Sequence, residues 1–246
     1  MAKVTPPKIT EFNLLPGEVI ADKYEIVSFL GGGWEGEVYK IRELVTNIDR
    51  TAKLFYPKRN LNNRTITQYA KKLHRLQNCD IIIHYHTTET LIFNGVPITV
   101  LISEYVEGEL LSDHIKKHRG KKLPTFQAVH LLHALATGIS SVHQAGEYHG
   151  DLHDNNIIVQ RLGLTYQLKL LDLYHHGRTT RENRDNDVCE MIGVFYEALG
   201  GQKAYSGHSK VIKNICCGLK RSLINKKFRR AIDLCDHLES LDWSSL

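Results

Sequence analysis

The sequence has no apolar run long enough to cross a bilayer. Its first residues, MAKVTPPKITEFNLLPGEV, also lack the basic segment followed by an apolar segment that a secretory signal needs. We therefore expect a cytoplasmic protein that does not bind a membrane. Hydrophobic residues still make up 42% of the 246 residues, which is enough to form the core of one large domain or of two packed lobes.

Paired cysteines are also missing. The five cysteines are an odd number and show no C-x-x-C spacing, so the sequence indicates neither a disulfide framework nor a structural zinc site. The net charge of +5 is modest, and the basic stretches at residues 116–122 and 220–230 lack the aromatic interleaving of a groove for single-stranded nucleic acid. We interpret these stretches as solvated surface and expect no nucleic-acid partner.

The first half of the chain reads as strands. From Tyr24, three segments rich in β-branched or aromatic residues predict an antiparallel meander. An amphipathic helix is expected after it, through about Gln77. Strands then resume at residues 81–93, and an Asn-Gly turn at 94–95 predicts a hairpin. From Leu110 onward, apolar residues recur at helical spacing, so a helix-rich half comes next and the order predicts an α+β protein with two lobes.

A glycine-rich segment lies between the first two strands. Residues 30–39, LGGGWEGEVY, match the pattern G-x-G-x-x-G-x-V, and their place between two strands distinguishes them from a dinucleotide site. Glycines have no Cβ, so the backbone can approach phosphate oxygens and its N–H groups can donate to them. By itself, the pattern is equally compatible with a glycine-rich turn that binds no ligand.

A lysine lies one strand later. Lys53 stands among the apolar residues Ala52, Leu54 and Phe55. A buried lysine without a partner is costly, so its ammonium must face a cleft or an anionic group. An ATP phosphate would be such a group.

Two carboxylates and an asparagine form the most specific pattern. Asp151 lies in YHGDLHDNNIIV (148–159), Asn156 comes later in the same segment, and Asp172 ends the second of two short apolar strands. Mg2+ prefers hard oxygen ligands, so Asn156 and Asp172 are the expected metal ligands. Asp151 remains to accept the proton of an attacking hydroxyl.

These motifs together resemble the eukaryotic-type protein kinase family, from Tyr24 to about Leu241. The resemblance implies a bilobal protein-kinase-like fold, with an antiparallel-sheet N-lobe and a mainly helical C-lobe. It implies that ATP is bound by the glycine segment, the strand lysine and the hinge backbone, at Gly31, Gly32, Gly33, Gly36, Val38, Lys53, Glu104 and Val106. With the hinge at 106–109, we expect a leader at 1–20, the N-lobe at 21–105 and the C-lobe at 110–246.

The resemblance also assigns roles in the C-lobe. Asp151 and Lys53 are the expected catalytic residues, and ATP and Mg2+ are the expected substrate and cofactor. Asn156 and Asp172 match the magnesium ligands of the family. Residues 187–199 are similar to the buried helix that anchors the catalytic loop. In the family this helix begins with an aspartate, which is Asp187 here.

The missing helix acid is the first departure from the family pattern. The helix that should carry an acid for Lys53 contains no carboxylate, and Tyr69 or Gln68 stands nearest to its expected place. Without that acid, Lys53 would be held only by phosphates or by a polar substitute. Because positioning is most of what a kinase contributes to catalysis, this loss bears directly on activity.

Three further departures concern the catalytic loop and the segment after it. Gly150 stands where the family has arginine, and Tyr174 replaces the glycine of Asp-Phe-Gly. Because no arginine at 150 would receive a phosphate, we expect no switching by loop phosphorylation. Residues 173–186 are too few for an ordinary activation segment and contain no Ala-Pro-Glu, so we expect no ordinary peptide-docking platform.

His153 and its loop resemble aminoglycoside and related small-molecule phosphotransferases, which adds His153 to the candidate catalytic residues. We expect an atypical Ser/Thr kinase that phosphorylates protein hydroxyls. A small-molecule or sugar kinase, with a small phosphoacceptor, is one alternative. A pseudokinase that binds nucleotide as a scaffold is the other.

Overall fold

The computed structural model describes residues 8–163, 165–175 and 177–242. The chain divides into two compact units, the first formed by the chain up to Gln77 together with Ile83–Val106, and the second by Asn78–Ile82 together with the chain from Glu107 onward. An antiparallel sheet dominates the first unit and helices dominate the second, which confirms the predicted α+β fold class. Within the described residues, no helix combines the length and the apolar composition needed to span a membrane.

The first unit is built on a six-stranded sheet in the order β1-β2-β3-β4-β6-β5, with every neighbouring pair antiparallel. Its elements are β1 (Val19–Ile20), β2 (Tyr24–Gly32), β3 (Gly36–Glu43), β4 (Asp49–Phe55), α1 (Arg64–Arg75), β5 (Tyr85–Phe93) and β6 (Val96–Glu104). The predicted meander, helix and hairpin are therefore all present.

Alternation along β4 decides where Lys53 lies. Successive side chains of a strand point to opposite faces of the sheet. Ala52 and Leu54 are fully buried in the core on one face. Lys53 and Phe55 point to the other face, where the Phe55 ring meets Tyr69 of α1 at 6.5 Å between centroids. The strand pattern thus brings the lysine to the α1 side of the sheet.

The segment before β1 packs on the opposite face of this sheet. Phe12 is buried, and its ring stacks on Tyr56 with 5.5 Å between centroids. The carboxylate of Glu37 accepts the Phe12 N–H at 2.9 Å. Phe12 belongs to the 1–20 stretch interpreted as a leader from the sequence, and residues 1–7 of that stretch lie outside the described part of the chain.

The hairpin after α1 begins later than predicted. β5 starts at Tyr85 rather than at residue 81, because Ile82 forms a parallel bridge with Leu170 and the Ile81 carbonyl accepts the Leu170 N–H at 2.7 Å. The apolar run at 81–83 is buried, as a strand would be, but Ile81 and Ile82 belong to the second unit. The turn at 94–95 has the positive φ angles of 48° and 76° that a two-residue hairpin of type I′ requires.

The second unit combines helices with a small sheet of order β7-β8-β9. Its elements are β7 (Glu109–Leu110), α2 (Leu111–Lys117), α3 (Thr125–Gln144), β8 (Ile157–Leu162), β9 (Thr165–Leu170), α4 (Arg181–Ala198), α5 (Gly201–Tyr205), α6 (Lys210–Cys216), α7 (Arg221–Lys227) and α8 (Ala231–Glu239). The apolar stripe predicted on α3 is buried, and this helix packs against α4, α8 and β9.

The helix predicted to begin at Asp187 begins earlier, at Arg181. Thr180 and Asn183 form a capping box, in which the Thr180 hydroxyl accepts the Asn183 N–H at 3.2 Å and the Asn183 side chain accepts the Thr180 N–H at 2.9 Å. The capping residues, which the sequence interpretation did not recognise, start the helix. Only residues 173–180 therefore separate Asp172 from α4.

Candidate active site

The glycines of the β2–β3 hairpin differ in what surrounds them. A Cβ built on Gly36 would lie 1.8 Å from the Leu54 carbonyl oxygen, so this glycine allows β3 and β4 to approach. A Cβ built on Gly31 or Gly33 would meet no heavy atom of the described residues within 4 Å. Gly36 is therefore required by the sheet itself, whereas Gly31 and Gly33 border open space that a ligand can enter.

Two other predicted nucleotide-binding residues of the hairpin face different surroundings. A Cβ on Gly32 would make ordinary contacts with Phe29 and Glu37, at 3.4 and 3.5 Å. Val38 is half-buried and lies directly opposite Lys53 in the β3–β4 register. Paired residues of an antiparallel sheet share a face, so Val38 lies beside the lysine.

Lys53 of β4 is paired with a carboxylate of the β2–β3 hairpin. Its Nζ atom lies 3.1 Å from Oε2 of Glu35, and the two side chains are only 12% and 22% exposed. The Glu35 carbonyl accepts the Tyr56 N–H at 2.9 Å, which fixes the backbone of the glutamate. The lysine Nζ also lies 5.0 Å from the ring centroid of Tyr69 and 5.2 Å from that of Phe55, within reach of cation–π attraction.

Lys53 therefore has an acidic partner although α1 contains no acid. Tyr69, which the sequence placed nearest to the missing acid, contacts Lys53 through its ring, and the carboxylate comes from Glu35 instead. Glu35 was not predicted from the sequence, because the acid was expected only on the helix. The available signal was a carboxylate inside the glycine segment itself.

The tip of the hairpin is held by an aromatic contact. The Arg59 guanidinium carbon lies 3.8 Å from the centroid of the Trp34 ring, which is 65% exposed. Arg59 comes after β4, so this stack joins the hairpin tip to the neighbouring connection. Stacked guanidinium and indole groups attract each other through the ring quadrupole, and the contact limits the freedom of the tip.

The predicted hinge residues lie at the end of β6. The Glu104 N–H donates to the His84 carbonyl at 3.0 Å, and its carboxylate accepts the His84 N–H at 3.0 Å. Glu104 is the last residue of β6, and Val106 is the last residue of the first unit. The assignment of their backbone to adenine stays a prediction.

In the second unit, one buried carboxylate organises the catalytic loop. Asp187 is fully buried in α4. Its Oδ2 accepts the His149 N–H at 2.8 Å and its Oδ1 accepts the Gly150 N–H at 2.8 Å. The Nε2 atom of His143 on α3 lies 2.8 Å from Oδ2. A buried carboxylate needs such partners, and together they fix the backbone that leads into Asp151.

The His149 side chain connects the loop to the end of β9. Its Nδ1 atom accepts the Asp151 N–H at 3.3 Å, so Nε2 carries the proton and donates to the Leu171 carbonyl at 2.9 Å. Its own carbonyl accepts the Tyr174 N–H at 2.9 Å. The ring is fully buried, and these three bonds tie the residues around Asp151 to those around Asp172.

Asp151 and Asn156 are in direct contact. The Asn156 Nδ2 group donates to the Asp151 carbonyl at 3.0 Å and to Oδ2 of its carboxylate at 3.2 Å. The Asp151 side chain is 59% exposed, so its carboxylate is accessible to an incoming hydroxyl. His153 Nε2 lies 3.8 Å from Oδ2 of Asp151, beyond hydrogen-bond length but within reach of an ion pair if the ring is protonated.

A backbone hydrogen bond of the residue before Asp172 connects this part of the chain to Asn156. The Leu171 N–H donates to the Asn156 carbonyl at 2.9 Å. Asp172 itself has a positive φ of 51°, a conformation that few residue types other than glycine adopt readily. Because Asn156 turns its amide nitrogen toward Asp151, its Oδ1 and the Asp172 carboxylate supply the hard oxygen atoms that suit Mg2+.

Two departures from the family pattern fit each other in space. Gly150 has a φ of 85°, and a Cβ there would lie 2.7 Å from the ring of Tyr148 and 2.9 Å from Cβ of Tyr174. The two tyrosine rings lie 6.3 Å apart between centroids. Gly150 in place of arginine and Tyr174 in place of glycine are therefore parts of one packing arrangement.

Glu190 is a further carboxylate that the sequence analysis missed. Its Oε2 accepts the Leu152 N–H at 2.9 Å, so α4 binds the catalytic loop a second time. Burial raises the pKa of Glu190 to about 7, and the nearby Asp187 and Asp151 add to this rise, while the bond from Leu152 opposes it. The signal was its position on α4 one turn after Asp187.

Comparison with known proteins identifies sequences and structures that are similar to this chain. Residues 24–206 match the family model described as protein kinase domain. The chain is 22% identical over 223 residues to the serine/threonine-protein kinase PrkC of Bacillus subtilis (strain 168), which covers 80% of this chain and 33% of that protein. It is 29% identical over 173 residues to the serine/threonine-protein kinase PknG of Mycolicibacterium smegmatis, which covers 69% of this chain and 21% of that protein. The match thus spans a fifth to a third of these relatives.

Solved structures share the fold. The crystal structure of the Mycobacterium tuberculosis PknI kinase domain superposes with a TM-score of 0.65 at 17% identity, covering 92% of this chain and 98% of that one. A mutant of the same kinase domain gives a TM-score of 0.62. At this identity the likeness shows the fold alone, and it confirms the fold expected from the sequence.

Proposed function

Because this chain belongs to the protein kinase domain family, and so to a family of phosphotransferases, we propose that it is an ATP- and Mg2+-dependent protein kinase acting on serine or threonine hydroxyls. The relatives named above are serine/threonine-protein kinases, which supports this acceptor. We also propose that its activation segment is short, which the start of α4 at Arg181 supports.

The observation that carries the proposal is the set of bonds around Asp151. Its backbone N–H is bound to His149, its carbonyl and carboxylate are bound to Asn156, and the rest of its carboxylate is exposed. A group that orients and deprotonates a hydroxyl must be fixed in place and accessible at once. We assign this role to Asp151, with the neighbouring His153 able to influence its charge.

The proposal also assigns residues to the nucleotide and to the metal. Asn156 and Asp172 would hold Mg2+, which when bound neutralises charge on the phosphates. Lys53 and the open faces of Gly31 and Gly33 would receive the phosphate oxygens. The hinge backbone would receive the adenine. Of these groups, Lys53 is held by Glu35 in the first unit and Asn156 is held by Asp151 in the second.

The test compares Asp151 with a matched carboxylate of the same loop. The full chain, Asp151→Asn and Asp154→Asn are incubated with Mg2+ and ATP labelled on the γ-phosphate, with casein as a generic acceptor. Removing the base should lower the transfer rate by about 1,000-fold, while Asp154→Asn, which makes the same charge change three residues away, should stay within about threefold.

Different outcomes identify the alternatives. Label that enters a metabolite pool but no protein would favour a small-molecule kinase, to which the short segment and His153 also point. Equal background labelling by the wild type and Asp151→Asn, with ATP still raising the melting temperature, would favour a nucleotide-binding pseudokinase. Phosphoserine or phosphothreonine that depends on Asp151 supports the proposal.

A further inference from the structure

The α1 helix presents no carboxylate to Lys53, yet the lysine has one. The sequence of α1, RTITQYAKKLHR, contains no Asp or Glu. Lys53 nevertheless lies 3.1 Å from Glu35, a residue of the glycine hairpin that neither the motifs nor the comparisons assign to any role.

We propose that Glu35 is a positioning residue that holds the Lys53 ammonium in place of the absent helix acid. The inference rests on the proposed function, since the ammonium is positioned for the phosphates of ATP. The acid that orients the lysine therefore comes from the hairpin that covers the nucleotide, not from a helix.

The hairpin is built to hold this carboxylate. Tyr56 donates its N–H to the Glu35 carbonyl at 2.9 Å, and Trp34 next to it stacks on Arg59. The β3–β4 register, with Gly36 opposite Phe55, carries Glu35 to the end of β4 on which Lys53 lies. A carboxylate tethered on both sides loses little entropy when it keeps its ion pair.

The low exposure of the pair strengthens it. A surface ion pair contributes little because water screens it and both side chains are mobile. Here the side chains of Lys53 and Glu35 are 12% and 22% exposed, and the ring of Tyr69 lies against the ammonium. The lysine is thus confined between a carboxylate and an aromatic face.

The same contact could act in the opposite sense. If Glu35 mainly competed with phosphate for the ammonium, its removal would free Lys53 and tighten ATP binding. If Glu35 positions Lys53, its removal lets the ammonium move, so ATP binding and transfer both weaken. The sign of the change in affinity separates the two roles.

The experiment measures Mg2+-ATP affinity by calorimetry and transfer rates for Glu35→Gln, Glu35→Asp and Glu11→Gln. Glu11 is an exposed glutamate of the same unit, so its variant makes the same charge change without touching Lys53. For Glu35→Gln we expect the Kd for ATP to rise about fivefold and kcat to fall about tenfold or more. For Glu35→Asp, both constants should lie between those of the wild type and of Glu35→Gln. For Glu11→Gln, both should stay within about twofold of the wild type.

A double-mutant cycle with Lys53→Met tests whether Glu35 acts through the lysine. In the Lys53→Met background, Glu35→Gln should weaken ATP binding by less than about 1.5-fold, because the partner it positions is gone. An equal loss in both backgrounds would overturn the inference and assign Glu35 a structural role. Tighter or unchanged ATP binding by Glu35→Gln would overturn it as well.

Failure of the proposed function gives a different pattern. If the wild type binds Mg2+-ATP but transfers no label, the kinase proposal fails, while the affinities in the cycle still decide the role of Glu35. If the wild type binds no ATP, both ideas are wrong. Melting temperatures of all variants, read by circular dichroism, identify any loss that comes from unfolding.

Discussion

The glycine hairpin and the catalytic loop position their functional groups by different means. Beside the hairpin, Lys53 of β4 is oriented by side chains, namely a carboxylate of the hairpin and an aromatic ring of α1. In the loop, the backbone is oriented by Asp187, which binds the N–H groups of His149 and Gly150. A backbone N–H is present whatever the side chain, so the loop tolerates glycine at 150, whereas a side-chain contact can be replaced only by another side chain.

The first prediction tests whether the Asp187 carboxylate holds the backbone of the loop. Asp187→Asn keeps the size of the side chain but replaces one acceptor oxygen by an NH2 group. In this fully buried site the NH2 group would face an N–H group that now donates to the carboxylate. We expect it to lower the free energy of unfolding by about 3 kcal/mol, because a buried network loses its charge and one acceptor. Urea unfolding measures this change.

The matched control is Asp236→Asn on the exposed face of α8, which should change the free energy of unfolding by about 0.5 kcal/mol or less. A loss at Asp187 no larger than this would mean that the loop backbone is held by other contacts.

The second prediction concerns the two kinds of glycine in the hairpin. Gly36→Ala would place a Cβ 1.8 Å from the Leu54 carbonyl oxygen, so β3 and β4 must separate at a cost of about 2 kcal/mol. Gly31→Ala meets open space in the described structure and should cost about 0.5 kcal/mol or less. Thermal unfolding of both variants compares them. Equal losses would show that the open side of the hairpin also matters for folding.

The smallest expected effect is a pH dependence in the loop. The pKa of Glu190 is raised from an ordinary value of 4.5 to about 7 in the folded chain, chiefly by burial. Between these two values the folded chain binds a proton that the unfolded chain releases, so this residue makes stability fall as the pH rises from about 5 to 7.

Glu190→Gln removes that proton equilibrium while keeping an acceptor for the Leu152 N–H. Relative to the wild type, the variant should therefore gain about 1 kcal/mol of stability between pH 5 and pH 8, a value reduced for the partial exposure of the carboxyl. Chemical unfolding at the two pH values gives the difference. A constant difference would mean that Glu190 is ionised throughout.

Much of the fold could be predicted from periodicity. The strands after Tyr24, the hairpin turn at 94–95 and the stripe on α3 all appear where the pattern placed them. The errors arose where local signals compete with distant ones. Residues 81–83 are as apolar as a strand of the first sheet, but Ile81 and Ile82 contact Leu170 of β9 instead, a contact that no local pattern reveals.

The candidate site was predictable where its spacing is local. Asp151 and Asn156 lie in one segment, and the strand ends bring Asp172 beside them. Glu35 was not predicted, because its meeting with Lys53 depends on the register of β3 and β4, which local sequence does not determine. The role of Glu190 likewise depends on how α4 passes under the loop.

The packing around Gly150 constrains how this chain can change over time. An arginine at 150 and a tyrosine at 174 would compete for one space, since even a single methyl group at 150 would lie 2.9 Å from Cβ of Tyr174. A lineage that gains the arginine must first change or shift the residues at both 148 and 174. In the opposite order, the Cβ of the arginine would lie 2.7 Å from the Tyr148 ring, so the order of the substitutions matters.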